Sequence, residues 1–97
     1  MTTNSNTITL ATTIKQCDKI LVQTLDEDTV MANIDSGYYF GVNLTSKRIW
    51  ELAVDQSKIA DICTQLMKEY DVDAATCEAD VLAFVKALVG EGLVEIV

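Results

Sequence analysis

The stretch DTVMANIDSGYYFGVNLTSKRIWE, Asp28 to Glu51, changes its period part-way along. Val30, Ala32 and Ile34 alternate with Met31, Asn33 and Asp35; after Ser36-Gly37, Tyr38, Phe40 and Val42 alternate with Tyr39, Gly41 and Asn43. A period of two places successive side chains on opposite faces of a strand, so these two runs predict a hairpin with aromatic rings on both faces of its second strand. Beyond it, Thr45 and Ser46 offer hydroxyl caps, and Ile49, Trp50, Leu52 and Ala53 follow a helical spacing. A sheet therefore feeds a helix with almost no linker.

Working upstream, Ile20-Leu21-Val22-Gln23-Thr24-Leu25 is rich in β-branched and apolar residues and is stopped by Asp26-Glu27-Asp28, which predicts a first strand and an acidic turn. With Thr29–Asp35 and Tyr38–Asn43 it makes a three-stranded meander whose last strand lies at an edge. That edge carries Tyr39, Phe40 and Val42 without the Lys or Pro that usually blunts an exposed strand, so a neighbouring element or a partner must cover it. Residues 1–18 are rich in Thr and Asn near the start, lack a basic n-region and a long apolar run, and are expected to be a flexible tail rather than a signal peptide or anchor. The folded domain is expected over residues 19–97.

Downstream, Ile59, Ile62, Cys63, Leu66, Met67 and Tyr70 keep the spacing of one helical face, which predicts a second helix from an N-cap at Ser57 to about Tyr70. A third helix follows, capped by Asp73 or Thr76, with Cys77, Val81, Phe84, Val85 and Leu88 as its stripe and Gly90 and Gly92 beyond its end. Leu93 to Val97 alternates briefly and reads as a final strand or an extended tail packed on the core. The expected class is α+β, a three-stranded antiparallel sheet followed by three helices.

The composition narrows the chemistry. At 97 residues, with 49% hydrophobic and 23% charged residues, the chain fits one small folded domain. Fifteen acidic against seven basic residues leave a net charge of −8, which disfavours nucleic acid and anionic membranes. Histidine is absent, removing the commonest general base and neutral metal ligand, so no catalytic residue, metal or cofactor is expected. Cys17, Cys63 and Cys77 form no CxxC pair, and their odd number fits a reducing cytoplasm. Cys63 and Cys77 fall on apolar stripes as small hydrophobes, and Cys17 has no visible activator. The acidic turn lacks the ligand spacing of a calcium loop. Trp50, beside Ile49 and Leu52, reads as scaffold, Phe40 as core, and Tyr39 as a candidate binding residue on the opposite strand face.

Gly37-Tyr38-Tyr39-Phe40-Gly41-Val42-Asn43, then Thr45 and Ile49-Trp50-Glu51-Leu52, then Tyr70-Asp71-Val72-Asp73 and Glu78 to Phe84 together resemble the PqqD family of leader-peptide-binding proteins, in order and in spacing. The resemblance covers about Asp18 to Val97 and implies a RiPP recognition element with a winged helix-turn-helix-like fold. It implies no enzyme activity but capture of the leader of a ribosomally made precursor peptide as an added strand, in a groove between the third strand and the third helix. Carried over residue by residue, the strand side is Tyr39, Phe40, Val42 and Asn43, and the helix side is Asp80, Val81, Ala83, Phe84 and Ala87. Leu44 stands where members often carry Pro, and Val42 where Leu is common. The implied partners are a modifying enzyme such as a radical SAM protein, or a leader protease and cyclase in lasso-peptide pathways. A winged-helix transcription regulator is the competing reading, and the third helix, with Lys86 as its one positive group, disfavours it. A catalytic subunit built on Cys17 is a more distant third reading.

Overall fold

The computed structural model describes residues 8–25 and 28–97, so Asp26 and Glu27 of the expected acidic turn lie outside the described residues. The chain runs β1 (Thr13–Gln16), β2 (Ile20–Leu25), β3 (Asp28–Asn33), β4 (Tyr38–Val42), α1 (Leu44–Leu52), β5 (Ser57–Lys58), α2 (Ile59–Glu69), α3 (Ala74–Gly90) and β6 (Val94–Ile96). The expected meander is present as the antiparallel sheet β2-β3-β4, and the three expected helices follow it. Of the two readings of Leu93 to Val97 the final strand is the one present, as β6, but the second small antiparallel sheet that it forms, β5-β1-β6, was not expected.

That second sheet overturns the reading of residues 1–18 as a flexible tail from Ile8 onward. β1 pairs with β6 through Ile14↔Ile96, Lys15↔Glu95 and Gln16↔Val94, and with β5 through Thr13↔Lys58 and Ile14↔Ser57. Ile14 is 0% exposed and Ile8 is also buried. The segment further satisfies the start of α2, where the first N–H groups of any helix lack internal partners. Ile59 and Ala60 donate to the carbonyls of Thr12 and Leu10 at 2.9 Å each. The cap expected at Ser57 is therefore unnecessary; Ser57 lies in β5, and its hydroxyl donates to the Leu52 carbonyl at 2.9 Å.

The hairpin also closes differently from the reading of its sequence. β3 ends at Asn33 rather than Asp35, and residues 34–37 form the turn. Asn33 Oδ1 accepts from the backbone N–H of Asp35 at 2.9 Å and of Ser36 at 3.2 Å, while Gly37 takes φ of 78° and donates to the Asn33 carbonyl at 2.8 Å. Asn and Gly suit these roles because Asn turns back on its own backbone and Gly reaches positive φ without a steric cost. Ile34, freed from the strand, is exposed.

Register sorts the faces of this sheet. The rows Val22↔Met31↔Phe40 and Thr24↔Thr29↔Val42 face inward, with Met31 0% exposed and Phe40 and Val42 half-buried. The rows Leu21↔Ala32↔Tyr39 and Gln23↔Val30↔Gly41 face outward. The inward row meets a core drawn from every layer, including Ile14, Ile49, Ile59, Ile62, Leu66, Val81, Val85, Leu88 and Leu93. Trp50 is half-buried against that core rather than inside it, and its Nε1–H donates to the Leu93 carbonyl at 3.1 Å.

The loop after α3 joins these parts. Gly92 has φ of 75°, its carbonyl accepts from Asn33 Nδ2 at 2.8 Å, and the Leu93 carbonyl accepts from both Trp50 Nε1 and the Cys17 backbone N–H. A Cβ built on Gly92 would lie 3.1 Å from Asn33 Nδ2. We expect Gly92→Ala to destabilise the fold by about 1–2 kcal/mol, from the left-handed conformation alone before any displacement of Asn33. We expect Ile14→Ala to cost about 2–5 kcal/mol, the range for a truncated core aliphatic, where a frayed tail would give no change. Urea unfolding of both variants measures each value.

Candidate functional site

β4 is an edge strand of its sheet, and the direction of its free backbone groups follows from one hydrogen bond. Ile34 N–H donates to the Lys19 carbonyl on the β2 side at 3.0 Å. Antiparallel neighbours alternate in direction, so Asn33, Met31 and Thr29 point their backbone groups toward β4. Their register partners Tyr38, Phe40 and Val42 therefore bond inward to β3, and Tyr39 and Gly41 direct N–H and C=O toward the open edge. The acceptance of the Gly37 N–H by the Asn33 carbonyl agrees with this parity.

The expected strand-side residues thus divide. Tyr39 is 74% exposed on the outer face and its backbone has no partner among the described residues, whereas Phe40 and Val42 turn half-buried side chains toward the core. Tyr38 and Phe40 share the inner face, with ring centroids 6.4 Å apart. Asn43 is the N-cap of α1: its Oδ1 accepts from the Ser46 N–H at 2.8 Å, which is why neither Thr45 nor Ser46 serves as the cap. An Asn in extended conformation places its acceptor at the third helical N–H, and this halts β4 one residue before the helix.

On α3 the N-cap is Asp73, whose carboxylate accepts from the Thr76 N–H at 3.4 Å. Hydrogen bonds from the Thr76 side chain and backbone hold the Asp73 pKa below its ordinary value. Cys77, Val81, Val85 and Leu88 form the buried strip of the helix. Asp80, Ala83, Phe84 and Ala87 recur at i, i+3, i+4 and i+7 along the adjoining strip. Within it Asp80, Ala83 and Ala87 are exposed and Phe84 is half-buried against the core.

A surface pocket of about 170 Å³ lies where α1, α2 and α3 meet, lined by Thr45, Leu66, Tyr70, Val72, Cys77, Asp80 and Val81. It gathers two of the expected helix-side residues, Asp80 and Val81, beside Thr45 in the first turn after β4. Leu66, Tyr70, Val72 and Cys77 were not among the expected site residues; their apolar character is visible in the sequence, but the void between them is not. Arg48, one turn after Thr45, sets the spacing of the walls. Its Nε donates to Glu69 Oε1 at 2.9 Å and its second amino group to Oε2 at 2.6 Å, while Gln65 Nε2 adds a bond to Oε2 at 2.8 Å. This fork ties α1 to the last turn of α2, immediately before Tyr70.

The thiols carry no sign of activation. Burial pushes the Cys63 pKa up to about 11 and raises that of Cys77, and burial with the nearby carboxylates of Glu95 and Asp18 raises that of Cys17. A nucleophilic cysteine needs the opposite environment. Among the described residues no group of three or more Cys, Asp or Glu is placed to hold a metal ion, and no helix is long and apolar enough to cross a membrane.

A small α+β domain with a free sheet edge leading into a helical layer is what the fold and this geometry define. The pattern of the family described as Coenzyme PQQ synthesis protein D (PqqD) matches residues 28–94, from β3 to the first residue of β6, and the chain belongs to the PqqD family. Among solved structures, it is similar to "TbiB1 in Complex with the TbiA(beta) Leader Peptide", at 31% identity and a TM-score of 0.71, over 84% of this chain and 94% of that one. It is also similar to "Lasso peptide synthetase B1 complexed with the leader peptide", at 28% identity and a TM-score of 0.70, over 84% of this chain and 96% of that one. No curated protein sequence matches the chain at a significant level.

The Arg48–Glu69 link has a pH signature. Hydrogen bonding from Arg48, and then from Gln65, lowers the Glu69 pKa from 4.5 to about 2. A group whose pKa is depressed by folding contributes stability above its unfolded value and loses it as pH falls through the folded value. We expect the melting temperature to fall between pH 4.5 and about 2 partly through this group, and Glu69→Gln to flatten that part of the acid limb. Melting curves of parent and variant across that range test the link; parallel curves would show that the fork contributes nothing.

Proposed function

We propose that this protein captures the leader of a ribosomally made precursor peptide as a fourth strand along the open edge of β4, and presents it to a separate modifying enzyme. The observation that carries the reading is the outward-facing backbone of Tyr39 and Gly41 on an uncharged edge strand. Such an edge gives an extended peptide main-chain hydrogen bonds, and neighbouring side chains supply preference. Both similar solved structures, with leader peptides bound, support it.

Tyr39 and Gly41 supply the outward backbone groups, and Phe40 and Val42 form the inward backing of the strand. Asn43 fixes where the strand stops. Asp80, Val81, Ala83, Phe84 and Ala87 form the helix side, with the pocket at Asp80 and Val81 taking an apolar leader side chain. Asp80 at the rim, together with the net charge of −8, favours a basic or neutral leader and speeds its encounter. The protein works without catalysis of its own, in line with the absence of histidine and the raised thiol pKa values. Its partner is a radical SAM enzyme, or a leader protease and cyclase, in the cytoplasm, where the free thiols of Cys17, Cys63 and Cys77 persist.

Proline substitution separates the two sides of β4. Proline removes a backbone donor, so Phe40→Pro and Val42→Pro each delete a ladder bond to β3 and should lower stability by about 1 kcal/mol or more. Tyr39→Pro and Gly41→Pro should melt close to the parent and weaken the leader at least about fivefold, the equivalent of one hydrogen bond of about 1 kcal/mol. Thermal melting beside titration with a synthetic leader of the cognate precursor distinguishes the classes. If all four variants lose stability in proportion to binding, or none affects binding, the leader does not add to this edge.

A further inference from the structure

Gly41 has no reason to be glycine in the free protein. It lies inside β4, where glycine costs about 0.5–1 kcal/mol relative to alanine through backbone entropy. Gly37 and Gly92 take positive φ; Gly41 does not. A Cβ built on it would meet nothing within 4 Å, so neither conformation nor packing requires its absence. A glycine in a strand with neither requirement marks a place where something from outside comes close.

An incoming strand would lie about 4.8 Å from β4 whatever side chain position 41 carried, because side chains stand perpendicular to the hydrogen-bonding direction. The space kept clear at Gly41 is therefore not needed by the leader's backbone. It lies on the outer face, in the row Gln23↔Val30↔Gly41, beside the row Leu21↔Ala32↔Tyr39. Its nearest neighbours toward the hairpin turn are apolar, with Val30 half-buried, Ala32 only 6% exposed and Tyr39 exposed at one side, while the polar Gln23 and Asn43 lie at the far ends of the row and of the strand. A large side chain on a neighbouring strand stabilises a sheet by folding across a glycine, and aromatic or β-branched residues do this best.

Resting on strand addition at β4, we infer that Gly41 is a specificity-determining residue: the leader carries one large aromatic or branched apolar side chain that lies across Gly41 on the outer face, against the ring of Tyr39. This contact is on the opposite side of the sheet from the pocket at Asp80 and Val81. The leader is thus read on both faces, by the helical layer beneath and by the Gly41 shelf above.

The test uses the full chain and a displayed library of random extended peptides of about ten residues, enough for one strand and its flanks. Selections are run on the parent and on Gly41→Val, and enriched peptides are titrated against both. Gly41→Val should melt at or above the parent, since valine is the better strand former. The parent should enrich an aromatic or branched apolar residue at one position. Gly41→Val should shift that position alone to Gly, Ala or Ser and bind the parent's best peptides at least tenfold more weakly. Unchanged preference and affinity in Gly41→Val would overturn the inference, as would a lower melting temperature, which would show that the glycine serves the free fold. Tyr39→Pro controls for the underlying reading: if it binds the selected peptides as the parent does, or if the parent enriches none, strand addition at this edge fails and the inference falls with it.

Discussion

Two backbone carbonyls after α3 hold the domain in one piece. Gly92 receives Asn33 at the end of β3, and Leu93 receives Trp50 from α1 and the backbone of Cys17 just after β1. Gln16 completes the ring, its side chain donating to the Trp50 carbonyl at 2.9 Å and its backbone to the Ala53 carbonyl at 2.8 Å. Neither sheet could bury enough apolar surface alone, being three short strands wide. The carbonyls sit in a loop that only positive φ at Gly92 permits, so one backbone conformation fixes how the hairpin sheet, the first helix and the second sheet meet.

The candidate site inherits its geometry from that junction. Asn33 is anchored at both ends of its side chain, to Gly92 on one side and to the turn at Asp35 and Ser36 on the other. This sets where β3 stops, and thereby which backbone groups of β4 are consumed by the ladder and which are left over. Asn43 performs the matching task at the far end of β4 by capping α1. Two asparagines delimit the edge, and the charged fork of Arg48 on Glu69 ties α1, the helix that follows it, to the end of α2.

Much of this was legible in the sequence because the hairpin and helices carry strong local periods. Tyr38, Phe40 and Val42 against Tyr39, Gly41 and Asn43 need only the rule of two, and Ile59 to Leu66 and Cys77 to Leu88 only the helical spacing. The second sheet was not legible. Thr13-Ile14-Lys15-Gln16 has a single apolar residue, β5 is two residues long, and the partners lie at opposite ends of the chain. Capping was misread at Ser57 for the same reason, since the acceptors are main-chain carbonyls of Leu10 and Thr12, which no side-chain pattern announces. For the site, the resemblance located the edge strand and α3. Which residues of β4 face outward depends on register, and the lining of the pocket by Tyr70 and Val72 depends on how α2 ends.

The pairing of β1 with β6 also separates the domain in time. β2, β3 and β4 are joined by short turns, so their contacts are local and close with little loop entropy. The sheet β5-β1-β6 joins nearly the first described residues to the last, and it cannot close until Val94 to Ile96 have been synthesised. Until then Ile14 has no partner strand on the β6 side. The candidate edge is thus specified by early, local pairings, whereas the pairing that ties β1 into the domain waits for β6.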